Sequence, residues 1–570
     1  MLYQELLAKA RGEQKADLVF KNARLVDVFQ EELSQADLAV ADGIIVGTGS
    51  YRGEEEIDLK GQLLAPGLID GHLHLESAMV PVEELAATVI PRGTTTVVAD
   101  PHEIANVAGI VGIKYLLRTG RSLPWNFKMM LPSCVPATPL ESSGFKLGAR
   151  ELAPLLKEKG IWGLGEVMDF NSVIRGAEEI WEKILLVGDR FKDGHAPGVS
   201  GYDLNAYLLA GIMADHECTT PTEAREKVSK GMYVMIREGS ITRDLSNLLP
   251  VVNSRNCSRF FFATDDRHPG DLMQEGHLDF LVRKSIAEGL PPLRALRLAT
   301  INAALALGFR GIGALAPGYQ ADLLVIEDWE QLKIKQVYQQ GKLVAADGQA
   351  LFAVDPVVED RPALIFQSVR IGPMAVSAFK LPTGRQFRVM EIIPEKVVTK
   401  KGFIWLPTNY NSEDLKKRDL VKLAVVERHH RTGKVGLALL KGFGLTEGAI
   451  ASSISHDSHN IIVAGLAAEE MLTAVKAVER MQGGIVIIRK GRVAQSLALP
   501  IAGLLSEQPL PQVAGRLQEM QQLVEEMGVK VKGAFMMLSF MALPVIPELK
   551  LTEQGLYDLT EKRFVTLTID

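Results

Sequence analysis

The stretch GLIDGHLH, residues 67–74, ends an apolar run on two imidazoles, His72 and His74, two positions apart. Side chains of a strand alternate between its faces, so residues at i and i+2 share one, and both rings can reach a single ion. Seven further apolar runs follow: TTTVVAD (94–100), NFKMMLPS (126–133), IWGLGEVMD (161–169), RFKDGH (190–195), IMADHE (212–217), MYVMIREG (232–239) and RFFFATD (259–265). Helical patterns such as PVEELAATVI (81–90) and YDLNAYLLAGI (202–212) lie between most of them. Thr220-Pro221, before the acidic first turn of TPTEAREKVSKG (220–231), is a helix-start signature. Eight such alternations over residues 66–308 predict an α/β fold, a (β/α)8 TIM-like barrel. A doubly wound open sheet is the alternative, but no G-x-G-x-x-G follows the first strand.

Outside the barrel the rhythm changes. Residues 17–65 read as short strands broken by Gly and Asp-Gly turns, and ADLLVIEDWEQLKIKQVYQQGKLVA (321–345) repeats that pattern. The expectation is one composite β-domain, 1–65 plus 309–360, split by the barrel at 66–308. Residues 361–570 mix strand-like KVGLALLKGF (434–443) and GGIVIIRKGRVA (483–494) with helical AAEEMLTAVKAVERM (467–481), which predicts an additional C-terminal α/β domain.

The chemistry gathers where strands stop. His72 and His74 end the first run, Glu166 the fourth, His195 the fifth, His216 the sixth and Asp265 the eighth. Barrel active sites collect side chains from the C-terminal ends of several strands. A single histidine is more often a satisfied core or surface residue than a ligand, but six suitable residues at the ends of five strands reverse that preference. Imidazole mixed with carboxylate suits divalent zinc, manganese or iron. Six donors exceed the needs of one tetrahedral ion, which points to two ions bridged by Glu166. Such ions lower the pKa of water, and Asp265 is placed to accept its proton and pass it to a leaving group. Asp193, Asp215 and Glu217 flank ligands and suit orientation of the rings.

Composition narrows the classes. The 570 residues carry 63 Lys+Arg against 69 Asp+Glu, a formal charge of −6, and are 47% hydrophobic. That excludes wholesale disorder and argues against a nucleic-acid partner, for which a basic excess is needed. The three cysteines form no C-x-x-C pair, which removes structural zinc modules and the P-C-x-x-C zinc deaminases. No run approaches 18 continuous apolar residues and the N-terminus lacks a signal-like core, so a cytoplasmic protein without membrane association is expected, with assembly into a dimer or larger.

PGLIDGHLHLES (66–77) resembles the first-strand signature of the amidohydrolase superfamily, and GYQADLLVIE (318–327) the segment where its β-domain resumes. More narrowly, TTTVVADPHEIANVAG, DGHAPGVSGYDLNAYLLAGIMADHE, FFATDDRHPGDL and SISHDSHNIIVAG resemble the bacterial and archaeal adenine deaminase family over nearly the whole chain. The resemblance implies a binuclear centre on His72, His74, Glu166, His195, His216 and Asp265, with manganese or iron as the expected metal and zinc an alternative. Many amidohydrolases bridge their metals with a carboxylated lysine; here the fourth strand offers Glu166 and Lys159 precedes it, which departs from hydantoinase-like members. The implied reaction is adenine plus water giving hypoxanthine plus ammonia. Protonation of the adjacent ring nitrogen lowers its barrier. For that task or for substrate contact the candidates are Asp100, Glu76 and above all His102 and Glu103. Asp266, Arg267 and His268 are further candidates for substrate contact.

Two C-terminal clusters stand apart. Ser455-His456-Asp457-Ser458-His459-Asn460 reads equally as a hydrogen-bonded turn or as a metal-binding or mouth-capping loop, and Arg428-His429-His430-Arg431 as a solvated edge. Met536-Met537 reads as core filling. The rival functions are another amidohydrolase, such as an N-acetylglucosamine-6-phosphate deacetylase-like enzyme needing cations at the mouth, and a non-catalytic amidohydrolase-like scaffold, which would have lost ligands.

Overall fold

The computed structural model describes residues 3–354, 361–394 and 396–569. Eight barrel strands follow in order: β1 Leu68–Leu73, β2 Thr94–Ala99, β3 Asn126–Leu131, β4 Ile161–Val167, β5 Phe191–Gly194, β6 Ala214–Asp215, β7 Tyr233–Arg237 and β8 Phe260–Ala263. Each falls within one of the eight apolar runs. β1 to β5 pair in parallel, as do β6 to β8. Met213 N–H donates to Lys192 C=O across the β5–β6 step at 3.0 Å, and a parallel bridge from Leu73 to Asp265 returns β8 to β1. Strands such as β1, β2 and β8 are buried along their whole length. Parallel strands covered on both faces need continuous apolar runs rather than alternation.

Three of the barrel's helices position the site. α1, His102–Arg121, is kinked at Gly109, where φ is 56° and ψ −142°. The Phe145 ring lies where a Cβ at Gly109 would go, 2.7 Å away, so glycine is required twice over. α2 is Gly201–Leu209, and α3, Pro221–Ser229, starts as expected, with Thr220 Oγ1 accepting the Glu223 N–H at 3.3 Å.

The two outer β segments share one nine-stranded sheet. Leu63–Pro66 pairs antiparallel with Leu323–Asp328, Leu323 opposite Pro66 and Ile326 opposite Leu63. Its own core includes Phe20 and Tyr338, edge to face at 4.9 Å.

The C-terminal residues build an eight-stranded, mostly antiparallel sheet between Gln386 and Ala498. α4, Ala468–Arg480, covers one face through Met471, Val475 and Val478. α5, Leu510–Glu526, and α6, Ala534–Phe540, follow. Met536 and Met537 are buried in core, as read from the sequence. One apolar cluster runs from the barrel into this unit, and Ser506 N–H donates to Met79 C=O at 2.9 Å across the junction. The connection from strand Ala449–Ser452 to strand Ile461–Gly465 carries Ser455–Asn460 to the barrel mouth. Among the described residues no helix is long and apolar enough to cross a membrane.

Candidate active site and metal centre

The C-terminal ends of the barrel strands surround a cavity of about 240 Å³. His74 reaches it from just past the end of β1, Glu166 from β4, and His195, His216 and Asp265 from the turns after β5, β6 and β8, while His72 on β1 lies directly behind His74. His72 Nε2 and His74 Nε2 face each other at 3.2 Å. Glu166 lies between the histidine pairs: Oε1 is 3.2 Å from His74 Nε2, and Oε2 is 2.5 Å from His195 Nδ1 and 3.3 Å from His216 Nε2. Asp265 Oδ1 is 3.3 Å from His74 Nε2 and 3.7 Å from His72 Nε2. The six expected residues therefore converge, and two donor triads, His72/His74/Glu166 and Glu166/His195/His216, share one carboxylate.

The surroundings aim these rings. His72 Nδ1 donates to Asp193 Oδ2 at 2.7 Å and His74 Nδ1 to the Asp100 carbonyl at 3.3 Å. Each Nε2 is left with its lone pair toward the centre, the arrangement that metal-ligating histidines take. Glu166 follows Gly165 because the Asp100 carboxylate fills the space a Cβ would need there, accepting the Glu166 N–H at 2.8 Å. Asp265 sits at φ 56°, unusual for a non-glycine residue; its N–H donates to His72 C=O at 3.0 Å and its C=O accepts the His74 N–H at 3.2 Å. Strain of this kind, held by flanking hydrogen bonds, is a mark of functional positions.

Burial pushes the Asp265 carboxyl up, but the His72 and His74 rings beside it and the Arg237 guanidinium hold it well below the usual carboxylate range. Burial likewise opposes ionisation of Glu166, and the flanking His195, His216 and His74 more than offset it. Arg237, at the end of β7, donates to Asp265 Oδ2 at 2.9 Å, pairs with Glu217, and reaches Asp244 at 3.3 Å. Sequence reasoning missed it; the signal was a lone arginine ending the apolar run MYVMI. Being committed to three carboxylates, it offers no free charge to a phosphate.

His102 and Glu103 both line the cavity at the start of α1. Burial works against a charge on His102, yet the Asp100 and Glu103 carboxylates beside it raise its pKa well above the ordinary histidine value. Burial also opposes ionisation of Glu103, but His456 and His459 hold it well below the usual range. Glu76 is turned aside to accept the Ile104 N–H at 3.0 Å. Asp193 does orient a ligand, His72, which lies on a different strand. Asp215 orients none: it accepts the Ala196 N–H at 2.7 Å and pairs with buried Lys227 at 2.9 Å. Glu217 is 3.8 Å from His195 and is held by Arg237. Asp266 lines the cavity and accepts from Ser77, whereas Arg267 turns away onto Glu275 and the Gly276 carbonyl. His268 lies outside the cavity lining.

The C-terminal unit supplies the cavity's other wall through His456, Asp457, Phe540, Leu543 and Ile546. The Ser455–Asn460 loop thus lies at the mouth, and it is at the same time a hydrogen-bonded turn, the His459 N–H donating to Ser455 C=O at 2.7 Å. Arg428-His429 is not a solvated edge: both residues are buried, Arg428 Nη2 donates to Ala502 C=O at 3.1 Å, and His429 Nε2 donates to Ser458 C=O at 2.7 Å. The wish to satisfy backbone carbonyls beneath a loop, invisible in sequence, put them there.

Residues 63–344 match the amidohydrolase family and residues 396–563 the adenine deaminase C-terminal domain. An adenine deaminase of Petrotoga mobilis is 52% identical over 570 residues, spanning 100% of both chains. The chain belongs to the adenine deaminase family. Adenine deaminase 2 of Carboxydothermus hydrogenoformans is 45% identical over 99% of each chain. Among solved structures, a beta-aspartyl dipeptidase from Fervidobacterium islandicum AW-1 has a TM-score of 0.44 at 16% identity, covering 59% of this chain and 98% of its own. Amidohydrolase membership implies divalent-metal binding, and the buried His/Asp/Glu groups of this adenine deaminase family member have the donor chemistry for it.

Proposed function

We propose that this protein deaminates adenine hydrolytically, giving hypoxanthine and ammonia, at a centre of two divalent ions. Manganese or iron is the proposed metal, with zinc an alternative. His72 and His74 would hold one ion, His195 and His216 the other, Glu166 would bridge them, and Asp265 would complete the set. Bound there, the ions supply a lowered pKa to water, bringing hydroxide within reach of neutral pH.

The chain's own groups do the rest. Asp265, kept ionised by Arg237, takes the proton of the attacking water and passes it to the departing amino group. Attack at the amino-bearing carbon sends electron density to the neighbouring ring nitrogen, to which His102, with its raised pKa, gives a proton; the second water proton, left on the carbon-bound oxygen, returns to His102 as the carbonyl forms and ammonia leaves. Glu103, held ionised, accepts a hydrogen bond from a ring N–H. Phe170, Ile241, Phe540 and Leu543 offer apolar faces to the ring, the usual composition of a small-ligand pocket.

The observation that carries the reading is the single carboxylate shared by two histidine pairs, and the full-length likeness to adenine deaminases supports the choice of substrate. The test is to load the apoprotein with Mn or Fe, add adenine, and follow ultraviolet absorbance and ammonia. Hypoxanthine and ammonia in equal amounts are expected; no ammonia from metal-loaded protein defeats the reading. Cytoplasmic location and assembly into a dimer or larger belong to the same proposal and are checked by cell fractionation and by sizing in solution.

A further inference from the structure

Glu103 is gripped from the other side of the cavity. His456 Nδ1 donates to its Oε1 at 2.8 Å, and His459 Nε2 lies against its Oε2. All three side chains are buried. His102 Nε2 approaches the same carboxylate at 3.5 Å. The two imidazoles come from the loop Ser455–Asn460, and that loop is fixed at both ends. The His456 N–H donates to Ser539 Oγ at 3.1 Å, and its ring stacks on Phe540 with centroids 5.1 Å apart and planes 21° apart. His459 takes φ 55°, its N–H donates to Ser455 C=O at 2.7 Å, and its C=O accepts from the buried Arg428 guanidinium.

Glu103, His456 and His459 have the composition of a metal site. The hydrogen bonds around the trio favour a clamp: His456 Nδ1 donates to Oε1, and His459 Nδ1 accepts the Ser455 N–H at 3.3 Å, which leaves the proton of that ring on Nε2, facing Oε2.

We propose that His456 and His459 are positioning residues for the reaction, holding the Glu103 carboxylate toward the substrate so that the C-terminal unit completes a binding site built on the barrel. The proposal rests on the reading of Glu103 as acceptor for a ring N–H. A contact made equally in the ground and transition states affects KM rather than kcat.

Full-length, Mn-loaded His459→Ala, His459→Gln and Glu103→Gln proteins test it. His459→Ala is expected to raise KM for adenine about 10- to 100-fold, the usual effect of removing an orienting partner, with kcat changed by less than about 3-fold and metal content at the wild-type value. His459→Gln, which restores an N–H donor, is expected to recover most of that loss. Kinetic constants of His459→Ala within about two-fold of wild type would overturn the clamp. So would the loss of one metal ion per chain, which would make the trio a metal site. Failure of the function reading shows separately, as no turnover by wild-type protein. The clamp is then read from thermal unfolding, where the effects of Glu103→Gln and His459→Ala must be non-additive; additivity overturns it.

Discussion

Asp193 is one residue before Gly194 and two before His195, yet the ring it orients belongs to β1: its Oδ2 takes the His72 Nδ1–H at 2.7 Å. Asp193→Ala is expected to weaken metal binding about 10- to 100-fold, measured by chelator competition, because the ring loses the acceptor that sets its tautomer. Arg237 acts on charge rather than orientation. With Arg237→Met, Asp265 and Glu217 lose their shared cation, and the depressed pKa of Asp265 rises. Since Asp265 works ionised, the acid limb of the kcat/KM–pH profile is expected to move to higher pH; an unmoved limb would show that Arg237 does not tune this group. The six donors were legible because each is a polar residue ending an apolar run. Arg237 ends such a run too, but a terminal arginine in isolation reads as a solvated strand end.

At the scale of elements, the short β6 and the helix α3 depend on one buried ion pair. Lys227 Nζ reaches Asp215 at 2.9 Å, Glu223 at 2.7 Å and the Ala196 carbonyl at 2.7 Å, and it is fully buried. Lys227→Met is expected to cost about 3–5 kcal/mol in denaturant unfolding, because it strands a buried carboxylate without a partner. This pairing explains why Asp215 does not orient a histidine: its oxygens are occupied in holding α3 and the turn after β5. Strand positions and helix starts were readable from periodicity and caps, which are local. The pairing of Leu63–Pro66 with Leu323–Asp328 was only suggested by matching patterns, since a strand's sequence does not name its partner.

For the whole molecule, the C-terminal unit does two things at the mouth: it brings imidazoles to Glu103 and lays Phe540 along the cavity. Beneath that wall Lys550 donates to the Val397 and Phe540 carbonyls at 2.8 Å each, and burial pushes its pKa down to about 7. The unfolded chain therefore binds more protons than the folded one between about pH 7 and 10, and stability should rise with pH in that window by up to about 1.4 kcal/mol per unit. Lys550→Met should flatten that rise, as read from unfolding midpoints at several pH values. The formal charge of −6 belongs to this scale too. A neutral base is not steered by the protein's field, so kcat/KM should change by less than about two-fold between 0.05 and 0.5 M salt.

By itself the sequence determined the barrel and the first layer of its chemistry, because parallel buried strands demand continuous apolar runs and catalytic groups must stand where those runs stop. Tertiary structure alone decided what those groups lean on. Asp193 reaches across from β5 to β1, Arg237 joins carboxylates from two turns, and His456 and His459 cross from a separate unit to Glu103. These are contacts between residues up to several hundred positions apart, set by how the sheets and helices pack, and no local pattern encodes which two ends of a chain will meet.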